Sequence, residues 1–442
     1  MRIILYAAVF FLLFAFLPLD IVHGNQILPV SHNLQNDLKQ DVGLNFPKQI
    51  IADHPLSWGY GIAMDKEDES IYTVGIYEML HRKFLLIKWD KDGNELWHRN
   101  PHTKESRGDG VAIDNNRSIY TVGNIYSHSI FGKITSEYSV FTKWNLTGQQ
   151  IFSRTWNGST HKVTADKNGS IYTIGRGNTN FLLIKWDSEG SQLWNRSGAY
   201  GSGHAVTTDN DRKIYTIYNE LMNKPSFFTP FVSLNDSLLI VWDDSGNQLW
   251  NHTYNGFIGG ISVDIRGNIY LAGESLMKLD STGDLIWNQT LPREVVNYNH
   301  FDDIVLASDG TIYTISDYRA IDYEPSANTK KAPFSSIILA KWNIIGNLLG
   351  IQLWHTREDY SEEIIMGKDG NIYCVGSYGE SGPDHYLQVV IFSPTDFSSP
   401  PMPTSVTSIS VLGFGYLIVI PVMCLLIYLK KKKSLMERKY NP

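Results

Sequence analysis

Ile261-Ser262-Val263-Asp264, followed shortly by Gly267-Asn268-Ile269-Tyr270, is the stretch from which the fold can be read. A short apolar run ends at an acidic residue. A turn rich in Gly and Asn comes next, and a β-branched/aromatic pair opens a second run. The pair recurs at Ile71-Tyr72, Ile119-Tyr120, Ile171-Tyr172, Ile214-Tyr215, Ile269-Tyr270, Ile312-Tyr313 and Ile372-Tyr373. Each interval is long enough for four short strands and their turns. Self-similarity at this period marks a repeat architecture, so the length prior of two or three domains for 442 residues does not apply.

Each repeat reads as four strands. The first ends at the acidic residue, as in Gly61 to Asp65, Val111 to Asp114, Val163 to Asp166 and Ala205 to Asp209. Turns such as Asp166-Lys167-Asn168-Gly169 supply side-chain hydrogen bonds and positive φ. The second strand is Ile-Tyr-Thr-x-Gly, at Ile71 to Gly75, Ile119 to Gly123 and Ile171 to Gly175. The third is long, as in Phe84 to Asp90 and Phe181 to Asp187, and the fourth carries Leu-Trp, as at Leu96-Trp97 and Leu249-Trp250. Continuous apolar runs such as Phe181-Leu182-Leu183-Ile184 fit sheets covered on both faces. Trp89, Trp144, Trp186, Trp242 and Trp342 share one register of strand three and are expected to pack between sheets.

The seventh repeat stops after three strands. An orphan fourth strand lies near the N-terminus around Gln49 to Ile51. Gln49 stands as far ahead of Asp65 as Gln248 does of Asp264 and Gln150 of Asp166. Pairing this segment onto the last sheet would remove the open edges of a linear array. The expected fold is therefore all-β: a seven-bladed β-propeller of four-stranded antiparallel blades, closed by an N-terminal strand on the last blade, plus one C-terminal transmembrane helix.

The flanks read as targeting and anchoring. Residues 1–24 have a basic Arg2, an apolar core from Ile3 to Leu17 and a cleavage site after Gly24, the pattern of a signal peptide; an uncleaved anchor is the alternative. Residues 25–45 form an N-terminal extension and 46–393 the propeller. Residues 394–408 are a Pro/Ser/Thr-rich stalk, and the run 409–429 carries no charge and is long enough to span a bilayer. Lys430 to Lys433 open a basic tail, 430–442, placed on the cytoplasmic side. This predicts a single-pass protein of the cell membrane, its membrane partner engaged through 409–429 and its propeller extracellular. Net charge is −7, and about −12 without the basic tail and the N-terminal segment, so the acidic body excludes nucleic acid as a partner. Two cysteines, Cys374 and Cys424, cannot build a disulfide framework.

The unit Val111 to Gly123, followed by Lys143-Trp144-Asn145 and Gly148, resembles the seven-bladed β-propeller repeat called SBBP. It is also similar to NHL-type repeats, which share the Asp-x-x-Gly-Asn-Ile-Tyr core seen at Asp264 to Tyr270. The resemblance covers about residues 46–393 and implies an exported or surface protein with a binding role. Two blades depart from it: Lys278-Leu279-Asp280 lacks the strand-three Trp, and blade seven ends in Ile391-Phe392-Ser393. The run Trp242 to Trp250 also resembles the tryptophan-docking motif of quinone-dependent dehydrogenases, but packing explains it without a cofactor, and none is expected.

Length variation concentrates between strands two and three, at Asn124 to Ser136, Tyr218 to Leu234 and Asp317 to Pro333. Long loops on one rim of a rigid scaffold carry binding or are idle insertions. Tyr126, His128, Phe227, Phe228, Tyr318, Arg319 and Tyr323 are the binding-face candidates, for a protein or glycan ligand. His161 and His204 fall just before inner strands, as a pore-lining pair or as ordinary surface or core residues. Turns such as Asp209-Asn210-Asp211 lack the ligand set of a calcium loop, so no metal residue is assigned. No Ser-His-Asp, HExxH or P-loop pattern names a catalytic residue. Sequons at Asn116, Asn145, Asn157, Asn168, Asn195, Asn235, Asn251 and Asn288 are candidate glycosylation sites. Three of them, Asn195, Asn251 and Asn288, share a register just after the strand-four Trp, which glycans or a plain polar edge would equally explain. The function expected is a binding, adhesion or scaffold module. The alternative is an extracytoplasmic enzyme, either a glycan hydrolase or a quinoprotein-like oxidoreductase. Charged groups with displaced pKa values converging on the axis would favour the enzyme, and an exposed aromatic rim the binding module.

Overall fold

The computed structural model describes residues 47–78, 82–128, 134–220, 236–292, 300–320, 334–355, 360–379, 385–395 and 397. The expected signal peptide (1–24), the N-terminal extension (25–45), most of the expected stalk, the apolar run 409–429 and the basic tail lie outside them. Every regular element among the described residues is a β-strand. No described helix is long and apolar enough to cross a membrane.

The strands pair antiparallel in five four-stranded sheets and one seven-stranded sheet. In the latter, Gln192–Thr208 runs on from the outer edge of one set to the inner edge of the next. That makes seven sets of four. The innermost strands touch in cyclic order, and the first, Trp58–Met64, meets the last, Tyr360–Met366. The architecture is a β-propeller. Its closure follows the sequence expectation: Gln49 pairs with Val390 and Ile50 with Val389. The Gln49 amide donates to the Gln388 side chain at 2.8 Å. Ser57 Oγ accepts from Leu387 N–H at 2.7 Å, fixing the exit of the closing strand.

In the first five blades an acidic residue ends the inner strand and organises its turn; Ala307 and Gly367 stand there in the last two. Asp166 accepts the amides of Asn168 and Ser170 at 2.9 Å each, and its other oxygen accepts the Tyr172 hydroxyl at 3.2 Å. Asp114, Asp209 and Asp264 do the same with Tyr120, Tyr215 and Tyr270. In these four blades the Tyr of the Ile-Tyr pair thus anchors its own turn, and Tyr373 does so through Asp369, within its turn.

The strand-three tryptophans are buried between blades as expected, and each also has a partner. Trp89, Trp144, Trp186, Trp242 and Trp342 donate through Nε1 to Thr73, Thr121, Thr173, Thr216 and Thr314 at 2.9–3.0 Å. A buried indole N–H without an acceptor costs about 1–3 kcal/mol, so the two residues form a unit. The blades that lose the Trp confirm it. Blade five has Leu279 with Leu271 in the threonine position, and blade seven has Phe392 with Cys374. Donor and acceptor disappear together, leaving neither unsatisfied.

Two boundaries differ from the sequence reading. Inner strands begin earlier than expected, at Trp58, Ser106, Ser159 and Ile258, because glycine and polar residues there lie on a bulge rather than in a loop. His161 and His204 accordingly sit on inner strands, not ahead of them. All three expected long loops are shortened at their start, strand two of the middle one running to Glu220, and the first is shortened at its end as well. Strand two continues to His128 and to Ala320, and strand three begins at Ile134 and Phe334, extending the ladder and so satisfying backbone groups.

Candidate functional site

The feature that shapes the axis is a β-bulge repeated from blade to blade. Pairing of inner strand with strand two skips one inner residue between Gly59 and Gly61, Gly108 and Gly110, Thr160 and Lys162, Gly203 and Ala205, Ile258 and Gly260, and Ser361 and Glu363. The skipped residues are Tyr60, Asp109, His161, His204, Gly259 and Glu362. A bulge re-aims the side chain that it leaves unpaired. The glycine of Ile-Tyr-Thr-x-Gly exists because of this. A Cβ on Gly75 would lie 1.8 Å from the Trp58 carbonyl oxygen, and one on Gly175 would lie 2.1 Å from that of Ser159, both just ahead of the bulge.

Several bulge residues and residues following them make polar and ring contacts around the axis. Lys162 of blade three pairs with Glu363 of blade seven at 3.1 Å, and since these blades are not neighbours the pair reaches across the axis. The other Glu363 oxygen accepts Ile62 N–H at 3.0 Å, and Asp303 accepts Ile364 N–H at 2.9 Å. Burial lowers and carboxylates raise the Lys162 pKa; Glu363, Asp303 and Glu362 prevail, and it stays charged. Arg107 contacts Asp109 at 2.5 Å and lies over the Tyr60 ring. Asn124 bridges Asp109 to the Thr160 backbone. On the other side the rings of His161, His204, Phe257 and His300 follow one another at centroid distances of 5.7, 5.6 and 5.0 Å.

This setting moves several ionisations. Burial pushes Asp109 up to about 6 against the pull of Arg107. Burial also holds Asp303 well above the carboxylate range, Lys162 opposing and Glu363 reinforcing. Burial drives His161 down to about 3, with neighbouring cations adding to it, and His204 down to about 4. Both imidazoles are neutral at pH 7. The Lys162 and Glu363 side chains keep 24% and 20% of their surface, so solvent enters the axial funnel and reaches them.

Of the residues singled out from sequence, the ring contains His161 and His204. Tyr126 is half-buried near it; burial pushes its hydroxyl up to about 12, Arg107 opposing. His128, Tyr318 and Arg319 lie on strands, while Phe227, Phe228 and Tyr323 fall outside the described residues. The sequence reading missed Tyr60, Arg107, Asp109, Lys162, Asp303, Glu362 and Glu363. A signal existed: at one fixed distance ahead of the Ile of Ile-Tyr stand Asp109, His161, His204, Gly259, Asp302 and Glu362. That position is constant in spacing but divergent in chemistry. Among the sequons, Asn116, Asn157, Asn168, Asn195, Asn251 and Asn288 are exposed and Asn145 is half-buried. Asn195, Asn251 and Asn288 pair with equivalent strand-three residues, Ile184, Ile240 and Met277; Asn235 lies outside the described residues.

Comparison with known proteins agrees with the fold. The family model of the outer membrane protein assembly factor BamB matches residues 235–343. No curated protein matches the chain. Virginiamycin B lyase from Staphylococcus aureus is similar over 79% of this chain and 99% of its own, at 10% identity and a TM-score of 0.51. Raptor from Chaetomium thermophilum is similar over 81% of this chain and 30% of its own, at 9% identity and the same TM-score. At such identities the likeness concerns the fold.

Proposed function

We propose that the chain is a membrane-anchored surface propeller of the SBBP type that binds a glycan in its axial funnel, entering from the rim of the strand-two-to-three segments. The bulge ring carries this reading. A geometry repeated in six blades presents four kinds of side chain, Tyr, Asp, His and Glu, as a recognition surface requires and blade packing does not. Aromatic rings offer flat apolar faces, and carboxylates and imidazoles offer hydrogen-bond partners for hydroxyls, the mix expected of a small-molecule site. Asp109, Asp303, Glu362 and Glu363 set acidic groups around Lys162, so carboxyl groups outnumber the cations there and the funnel favours neutral or amino-bearing sugars over acidic ones. Anchoring through 409–429, with the propeller outside the cell, is part of the same proposal and rests on the sequence pattern.

A second reading, catalysis, has its own observation. Asp303, held toward neutrality beside a charged Lys162, is the kind of group that transfers protons near pH 7. Titration calorimetry of the full chain in detergent against neutral, amino and acidic oligosaccharides tests both readings. Binding of a neutral or amino sugar, lost in Lys162→Met and in His161→Ala, supports the axial site. Binding confined to acidic sugars, or unaffected by both substitutions, refutes it. Turnover of a bound sugar abolished by Asp303→Asn would select the enzyme.

A further inference from the structure

The ring seam holds a second cluster, away from the axis. His54 lies on the closing strand, Lys48–Pro55, whereas Glu95 and His98 lie on the outer strand of blade one, Glu95–Arg99. His54 Nε2 stands 3.2 Å from one Glu95 oxygen and His98 Nδ1 stands 2.7 Å from the other. The two imidazoles meet edge to face at 4.5 Å. One ligand atom from each of the three residues lies within 4.8 Å of the others.

We propose that His54, Glu95 and His98 form a zinc-type metal site that clamps the closing strand to blade one. Two imidazole nitrogens and a carboxylate are a donor set suited to Zn²⁺. Ligands held at about 2.0–2.2 Å around a tetrahedral ion stand roughly 3.3–3.6 Å apart, so small side-chain rotations bring this trio to coordination distance. The side chains are 18%, 26% and 44% exposed, which leaves the ion an approach and a water its fourth position. The cluster joins segments far apart in the chain that belong to different blades. Neighbouring contacts already dock them: Lys48 donates to the Asp92 carbonyl, and Ile50 covers Gly93. An ion there ties the chain's front end to the first blade as well as to the last. Metal binding to the folded ring but not to the open chain favours closure by mass action.

The test uses the full chain in detergent, stripped with a chelator and titrated with Zn²⁺ and Co²⁺. The expected result is one equivalent bound at micromolar or tighter affinity, with the visible bands of four-coordinate Co²⁺. Amide exchange of residues 48–55 should slow at least tenfold on Zn²⁺ addition. His54→Gln, Glu95→Gln and His98→Gln keep polar side chains at the seam, and each should lower affinity at least tenfold. Near-ultraviolet circular dichroism would confirm that each variant is folded. Absence of binding to the folded wild type overturns the proposal. So does binding that survives all three substitutions, or binding that leaves the exchange of residues 48–55 unchanged.

Discussion

Acidification should act on the funnel through two opposed sets of groups, and replacing His161 and His204 together with Phe should expose one of them. The imidazoles have folded values of about 3 and about 4, below the ordinary value near 6.5. The unfolded chain therefore takes up protons first as pH falls. Their contribution is fully present above pH 6.5 and drains away toward pH 4 and below. At 1.36 kcal/mol per unit, each ring costs the fold about 3 kcal/mol at pH 4 relative to pH 7. Asp109 runs the other way. Its folded value of about 6 exceeds the unfolded one, so its contribution is present below about pH 4 and lost as pH rises through 6. Acidification from pH 7 to 4 thus regains about 2 kcal/mol there, and Asp303 adds in the same direction. The wild type should change little in stability over this window. The Phe double variant keeps ring area and stacking, loses the imidazole penalty, and should gain about 3–6 kcal/mol on acidification relative to wild type, the lower end if funnel water screens the rings. Urea unfolding of the full chain in detergent, followed by tryptophan fluorescence at pH 4, 5, 6 and 7, measures this. Parallel pH profiles for wild type and variant would refute the placement of two neutral imidazoles in the ring.

Lys162→Met should cost about 3 kcal/mol, because Glu363 is left without its cation, whereas Lys162→Met with Glu363→Leu should recover most of the loss; chemical denaturation measures both. Trp186→Phe and Thr173→Val should couple by about 1 kcal/mol in a double-mutant cycle, since each alone orphans a buried polar atom. Gly175→Ala should lower stability by about 1–3 kcal/mol, its Cβ meeting the Ser159 carbonyl, as read by the thermal midpoint. Expression in a glycosylating host followed by peptide mass analysis should find Asn195, Asn251 and Asn288 modified as a set; modification confined to the half-buried Asn145 would contradict their equivalence on the fourth strand.

The sequence alone determined the repeat, the four-strand unit, the seven-fold count and the strand that closes the ring. These rest on local matters: turn residues, β-branched and aromatic runs, and a Gln-to-Asp spacing, shared with other repeats, that located the orphan strand at Gln49 to Ile51. Such features are legible because each repeat states them again. The Trp–Thr pair was half-read, since tryptophan burial follows from composition but its hydrogen bond depends on which residues of two strands face each other.

Only the tertiary structure decided the candidate site. Lys162 and Glu363 belong to the third and seventh repeats and meet only because the blades close around an axis. His54 and the Glu95–His98 pair meet only where the chain's front end is folded back onto the ring. The bulge that aims Tyr60, Asp109, His161, His204 and Glu362 inward reads in sequence as a polar gap before a strand, so these residues resembled loop. Hydrophobic periodicity reports which residues are withdrawn from water. It does not report which polar residues circular closure will gather into a confined, poorly solvated channel, and that confinement is what displaces the ionisations of Asp109, Asp303, His161 and His204.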